Sequence, residues 1–374
     1  MLAERIGRDS QDRGRRYARP MRTPSGYTIE RADLAIMSDA EVLEAARLRQ
    51  DLARERVPED PPAPLEVIAR QLRAMPPGQW RAIFLARNRD GKLAGYGVAA
   101  RNLEDKDNAH IRWSDVAVAP DHRRNGLGRA LYRRVVESCE GQGEDVIFIG
   151  ETSDRLPSGE AFGLAIAATP GLPMKINQLD LGSVDRMKVG EWARRAPRGY
   201  RLERVDGTVP EPLVNAYIEA AGGINDMPRG DIAFNDWNLT ETQIRQRESW
   251  FKQAGMTWWL LLAIDERTGE GVGFTEVEFN PRDPHAIQQE GTAVVAAHRG
   301  HNIGLWLKAV MLERILAERP DSRFIRTGNA NVNAQMLAIN TKLGFTYAWQ
   351  NTLWQLPIAD ARKALAGDET PARA

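Results

Sequence analysis

Two stretches of this chain carry residues whose types and order suit the binding of a phosphate anion. In Val116-Ala117-Val118-Ala119-Pro120-Asp121-His122-Arg123-Arg124-Asn125-Gly126-Leu127-Gly128-Arg129-Ala130-Leu131, an apolar, β-branched run stops at a proline. It then passes through a basic, glycine-containing turn and enters a helix-compatible segment. That order presents backbone N–H groups at a helix N-terminus, where the helix dipole favours an anion such as a pyrophosphate. Val294-Val295-Ala296-Ala297-His298-Arg299-Gly300-His301-Asn302-Ile303-Gly304-Leu305 repeats the order. His122 and His298, Arg123 and Arg299, and Gly128 and Gly304 are each 176 positions apart (299 minus 123), which is a domain-length offset.

Two such loops need two sets of elements to hold them. In the first half, Ser38-Asp39-Ala40-Glu41 is a capping box opening an amphipathic helix through Val42, Leu43, Ala46 and Leu48. A proline-rich loop at 58–64 precedes a short helix at 65–72. Strands are predicted at 82–86 and 93–100, joined by the turn Asn88-Arg89-Asp90-Gly91, then at 111–118, with helix 128–138, strand 146–149, helix 158–168 and strand 176–181. The second half repeats the plan with a helix at 211–221 and a capping box Thr240-Glu241-Thr242-Gln243 opening a helix to 253. Strands follow at 258–264 and 271–279, then 287–295, helix 304–317, strand 324–327, helix 333–343 and strand 352–356. The fold class is α/β, in two tandem units that are each a mixed, twisted sheet flanked by helices. The expected division is a mobile tail at 1–25, one domain at 26–183, a linker at 184–198, a second domain at 199–357 and a tail at 358–374.

A length of 374 residues suggests two or three domains, and the repeat selects two. With 51 basic and 51 acidic residues the net charge is zero, so nothing in the charge balance favours nucleic acid or an anionic membrane as partner. No apolar run reaches the length of a membrane span, and the arginine-rich N-terminus lacks a signal-peptide core, so a cytoplasmic protein is expected. The single cysteine, Cys139, excludes an intrachain disulfide and a cysteine metal cluster. Its helical spacing from Leu131, Val135 and Val136 predicts a buried thiol. The five histidines are scattered without zinc-helix spacing, and no metal is expected.

The element order, with Arg-x-x-Gly-x-Gly after the central strand, resembles the GCN5-related N-acetyltransferase (GNAT) superfamily. Arg123, Gly126 and Gly128 match its acyl-CoA signature in full; the second copy keeps Arg299 and Gly304 but has Asn302 for the middle glycine. Asn333-Ala334-Gln335-Met336-Leu337-Ala338-Ile339-Asn340-Thr341-Lys342-Leu343-Gly344-Phe345 resembles the family's later Asn…Leu-Gly-Phe motif. The double arrangement is most similar to tandem GNAT proteins of the mycothiol-synthase type, over residues 26 to 357. The resemblance implies acetyl-CoA, or another short acyl-CoA, as donor. Pantetheine would pair as a pseudo-strand with backbone near Val116 and Val118, or Ala293 and Val294. The pyrophosphate would sit on N–H groups of Arg124, Asn125, Gly126, Leu127, Gly128 and Arg129, or of the loop around Gly300, Asn302 and Gly304. Asn333 is where the family often has a CoA-contacting asparagine. The tyrosine that many members place three residues before Leu-Gly-Phe, as general acid toward the thiolate, is Asn340 here and Ala165 in the first copy.

Acetyl transfer to an amine requires the neutral amine, hence a base near the thioester. Glu290 shares strand parity with Gln288, aligned with the base of some members. Glu276 and Glu278 share one face of the adjacent strand, and the first copy offers Asp115. Asn225 and Asp226 lie in the loop where members build acceptor contacts. The implied activity is direct N-acetylation of a small-molecule amine by a monomer or homodimer. Chemistry is expected in the second half and CoA binding in the first. The alternatives are a non-catalytic acyl-CoA-binding protein and other CoA-thioester chemistry such as decarboxylation.

Overall fold

The computed structural model describes residues 20–366 apart from Pro24. Ten helices stand among the described residues: α1 (Asp39–Arg56), α2 (Leu65–Arg73), α3 (Leu127–Glu137), α4 (Pro157–Ala165), α5 (Arg186–Arg194), α6 (Val214–Ala221), α7 (Glu241–Ala254), α8 (Ile303–Glu318), α9 (Ala334–Leu343) and α10 (Ile358–Ala366). Both capping boxes form as the sequence predicts. Ser38 accepts from the Glu41 N–H while Glu41 accepts from the Ser38 N–H, and Thr240 and Gln243 do the same at α7.

The strands are β1 (Met21–Arg22), β2 (Thr28–Ala32), β3 (Gln79–Arg87), β4 (Leu93–Asn102), β5 (Ile111–Val118), β6 (Ile147–Ser153), β7 (Thr169–Asp180), β8 (Tyr200–Asp206), β9 (Thr257–Asp265), β10 (Gly271–Asn280), β11 (Asp283–Val294), β12 (Phe324–Ala330) and β13 (Thr346–Pro357). They form one 13-stranded sheet in the order β1-β2-β3-β4-β5-β6-β13-β7-β12-β11-β10-β9-β8. The halves exchange their last strands. β13, from the end of the chain, pairs antiparallel with β6 of the first half, and β7 pairs antiparallel with β12 of the second. β7 and β13 pair with each other at the centre, from Thr346↔Gln178 to Gln355↔Thr169. Strand pairing therefore crosses the boundary that chain order suggests.

Among the described residues the parallel pairs are β5–β6 and β11–β12, and both are short. β5 and β6 are bonded at Ile111↔Ile147, Arg112↔Phe148 and Trp113↔Ile149, and β11 and β12 from Ala286↔Phe324 to Gln288↔Arg326. Beyond these residues each pair splays, leaving ladder groups free at the mouth of its loop. β11 also carries a bulge. Thr275↔Thr292 is followed by Val277↔Gln289, one residue more on β11, around Glu290-Gly291. The β4–β5 ladder runs without one.

Apolar residues cover both faces of both halves. Leu127, Leu131, Val135 and buried Cys139 of the α3 region pack on Phe84 and Phe148. Leu307, Met311 and Ile315 of α8 pack on Leu261 and Ile325. Three expectations are corrected here. The stretch at 184–198, expected as a linker, holds α5, whose Val189 and Ala193 are buried and whose Ala193 carbonyl accepts from the Trp306 indole (3.0 Å). The C-terminal tail expected from 358 begins with α10, and Ile358, Ala361 and Leu365 bury in the first half's core. Within the expected N-terminal tail, Met21–Arg22 pair with β2; residues 1–19, Pro24 and 367–374 lie outside the described residues.

Candidate functional site

The two glycine loops have the same backbone, reached with different residues. Arg124 (φ 64°) and Gly126 (φ 76°) are left-handed in the first, and Gly300 (φ 83°) and Asn302 (φ 62°) in the second. Asparagine tolerates that region better than most residues, so the turn survives the replacement of the middle glycine. Gly126 and Asn302 are the N-cap residues of α3 and α8, and neither helix has a side-chain cap. The first N–H groups of both are thus available to a ligand. A Cβ on Gly126 or Gly300 would meet nothing within 4 Å, whereas one on Gly128 would press on Phe162 (3.2 Å) and one on Gly304 on Ile339 (3.3 Å). The outer glycines face open space and the inner ones admit a packed helix.

The basic residues of the motif mostly brace it. Arg123 donates to the Val118 carbonyl (2.9 Å) and in a bidentate pair to Glu55 of α1 (2.6 Å each). Arg299 does the same with the Val294 carbonyl (3.0 Å) and Asp226 (2.6 Å). The His122 and His298 rings are held by Tyr27 and Tyr200 hydroxyls, at 3.0 and 2.9 Å from Nδ1. Arg129 donates its guanidinium to the carbonyls of Ala165 (3.0 Å) and Ala364. Arg124 stays exposed at the loop tip.

In the first half the splay opens a cavity of about 720 Å³, within the range of cofactor clefts, roughly 300–1,000 Å³. Val116, Val118, Gly126, Leu127 and Gly128 line it, α4 closes one side through Phe162 and Ala165, and α1 presents Arg49, Leu52, Ala53 and Arg56. Asp115 and Glu151 stand across the gap, each two residues past the last bonded pair, Trp113↔Ile149. The Tyr96 hydroxyl donates to Asp115 (2.8 Å). Burial and the Asp115 charge push that phenol up, so it stays protonated. Glu151 accepts from Asn351 of β13 (2.9 Å). Desolvation in the cleft, with Asp115 nearby, raises its carboxyl above the usual range against the pull of Arg56.

The second half brings together all three carboxylates singled out there. Glu276 is buried and receives Trp258 Nε1 (2.9 Å), Tyr217 Oη (3.1 Å) and Arg247 (2.8 and 3.0 Å). Its lone pairs are committed to the fold. Glu278 is pushed up to about 7 by burial and by Glu290, and Glu290 is raised by desolvation and by Glu276, with Arg247 opposing both. Glu290 lies two residues past Gln288↔Arg326, the position Asp115 holds in the first half, and the bulge aims it. Below it, Gln289 Nε2 donates to the Glu276 carbonyl (2.6 Å) and Thr275 Oγ1 (3.1 Å).

The other expected contacts are occupied within the fold. Asn225 exchanges hydrogen bonds with the Trp237 backbone (2.8 and 3.1 Å), and Asp226 clamps Arg299. Asn333 caps α9, accepting from the Met336 N–H (3.2 Å). Asn340 is buried and donates to Asn329 Oδ1 (2.7 Å). The turn Gly222–Asp226 covers the end of β11, where a Cβ on Gly223 would lie 3.1 Å from the Val294 backbone and 3.3 Å from Ala293. Sequence reasoning missed Tyr96, Glu151, Arg247 and Tyr217. Only the alternation of β4 and β6 pointed to the first two, and the last two come from helices whose facing the sequence leaves open.

A further cavity of about 410 Å³ lies between the halves and shares Ala53, Arg56 and Glu151 with the larger one. Asp60 of the proline-rich loop bridges the halves there, receiving both Arg326 guanidinium nitrogens (2.7 Å for Nη2) with His285 Nε2 at 3.1 Å. Burial opposes the Asp60 charge, but Arg326 and His285 outweigh it and hold that carboxyl low. Among the described residues no helix is long and apolar enough to cross a membrane, and no group of three or more His, Cys, Asp or Glu is arranged to hold a metal.

The model of the acetyltransferase (GNAT) family matches residues 45–162. Mycothiol acetyltransferases of Stackebrandtia nassauensis and Thermomonospora curvata are each 26% identical, over 276 and 275 residues, covering 71% and 72% of this chain and 79% and 80% of those proteins. Among solved structures, a tandem GNAT protein from the clavulanic acid biosynthesis pathway superposes with a TM-score of 0.71 at 24% identity, over 89% of this chain and 98% of that one. A GCN5-related N-acetyltransferase from Sphaerobacter thermophilus gives 0.62 at 17%, over 90% and 97%. At these identities both likenesses concern the fold.

Proposed function

We propose that the first half, where the acetyltransferase (GNAT) family model matches, holds acetyl-CoA and transfers its acetyl group to a small-molecule amine. The observation that carries this reading is the single cleft joining an uncapped helix N-terminus, splayed strand edges and two facing carboxylates, Asp115 and Glu151. The open space above Gly126 fits a pyrophosphate, and the unpaired edge of β5 fits pantetheine. The bound thioester supplies the acetyl group. Glu151 accepts the amine proton as nitrogen bonds to the acetyl carbon and the carbon–sulfur bond breaks. Asp115, fixed by Tyr96, orients the amine. The departing thiolate takes a proton from water, since Ala165 stands where many members have tyrosine. Relatives carrying the name mycothiol acetyltransferase support a small-molecule acceptor.

A second reading assigns the transfer to the second half, as the sequence expects. The observation favouring it is Glu278, near neutrality beside Glu290. Glu151→Gln and Glu278→Gln separate the two when free thiol is followed with acetyl-CoA and an amine panel. The first reading expects Glu151→Gln to lose about 10²-fold or more in kcat with donor affinity intact. Its acid limb reflects a raised carboxyl, with rate growing as pH rises through that pKa. A full-rate Glu151→Gln enzyme together with a crippled Glu278→Gln enzyme would move the chemistry to the second half.

A further inference from the structure

Helix α1 changes character along one stripe. Val42, Ala45 and Ala46 are buried, and Val42 packs on Ile83 and Leu85 of β3. The same stripe continues at positions 49, 52, 53 and 56, where it overhangs the splay and becomes Arg49, Leu52, Ala53 and Arg56. Neither guanidinium has a hydrogen bond or ion pair among the described residues, although carboxylates are within electrostatic reach. The neighbouring cations on this side of the cleft are used. Arg123 is paired with Glu55, and Arg155 with Glu59.

Both free arginines belong to the acid end of the cavity. The charge of Arg49 is felt at Tyr96, and that of Arg56 at Tyr96 and Glu151. Arg124 stands instead on the glycine loop, at the end suited to phosphates. An acceptor that offered only an amine would leave two cations facing its own site. Once Glu151 carries the amine proton, Arg49, Arg56 and Asp115 leave one net positive charge, which one carboxylate balances.

We propose, resting on the first-half reading above, that the acceptor is an amine that also bears a carboxylate, with Arg49 and Arg56 receiving the carboxylate while the amine faces Glu151. The planar fork of arginine suits this contact, and the apolar pair Leu52 and Ala53 between the two arginines receives the acceptor's carbon skeleton.

The test compares amino acids and dipeptides with their carboxamides, with O-phosphoethanolamine as the phosphate-bearing control. Thiol release from acetyl-CoA is expected to favour the carboxylate form by about 10- to 100-fold in kcat/KM. Arg49→Gln and Arg56→Gln are expected to erase that preference, so that carboxylate and carboxamide forms react with the same kcat/KM, while Arg47→Gln, elsewhere on α1, keeps it. N-acetylated amino acids, which cannot react, should raise the melting temperature of the wild-type protein and not of the double variant. If carboxamides react equally well, or phosphoethanolamine is preferred, the inference fails while acetyl transfer stands. Weaker acetyl-CoA binding in the variants, without loss of discrimination, would assign the arginines to the donor and overturn it. If no amine releases thiol, the first-half reading fails, and the melting shifts alone decide whether the arginines bind a carboxylate.

Discussion

At position 126 and at its counterpart 302, the same left-handed turn is made by glycine in one loop and asparagine in the other. The asparagine side chain projects where Gly126 leaves open space. Gly126→Asn is therefore expected to fold normally and to weaken acetyl-CoA binding about 10-fold by calorimetry, the cost of displacing one charged hydrogen-bond set. An unchanged affinity would mean that this loop does not hold the pyrophosphate. Glu278 gives a second expectation at this scale. Its folded-state carboxyl is raised to about 7, so the fold holds that proton more tightly than the unfolded chain does. The stabilisation is complete in acid and lost as pH rises through about 7. Between pH 5.5 and 8.5 the wild-type melting temperature should fall by about 2 °C more than that of Glu278→Gln. Parallel curves would show that Glu278 titrates normally.

Among the elements, α1 and α10 differ most in how far sequence reveals their roles. The apolar periodicity and capping box of α1 are plain in the sequence, and the helix forms as predicted. What its last two turns face depends on the sheet opening beneath them, which periodicity does not encode. α10 is short and carries only two large apolar side chains, Ile358 and Leu365, so nothing local separates it from a frayed end. Ile358, Ala361 and Leu365 are buried only because β13 delivers them to the first half's core, where Arg133 donates to the Leu365 carbonyl (2.7 Å). Truncation after Pro357 is expected to cost roughly 3–6 kcal/mol, the burial of two large aliphatic side chains with their neighbours, read by denaturant unfolding. A truncated protein of native stability would show that α10 contributes nothing.

For the molecule as a whole, the exchange of β7 and β13 makes each half incomplete without the other. A fragment 26–183 would lack β13, the antiparallel partner of β6, and a fragment 199–357 would lack β7, the antiparallel partner of β12, exposing hydrophobic strand edges. Each expressed alone should aggregate, and co-expression should give a soluble one-to-one complex by gel filtration. Soluble, monodisperse single halves would contradict this. The Asp60–Arg326 pair adds a polar tie between the same halves, and beside it the smaller cavity meets the cleft at Glu151.

The sequence by itself determined the repeat, the strand–turn–helix loops and the capping boxes, because each is a local or periodic pattern written in consecutive residues. Strand alternation singled out the three second-half glutamates and Asp115 as candidates only. Only the tertiary structure decided that Glu151 faces Asp115 across a gap, that Tyr96 holds one of them, and that Glu276 is spent on Tyr217, Trp258 and Arg247. These depend on where two strands stop pairing and on which helix lies over them. Both are set by packing between residues far apart in the chain, and strand exchange places β7 and β13 away from the strands next to them in sequence.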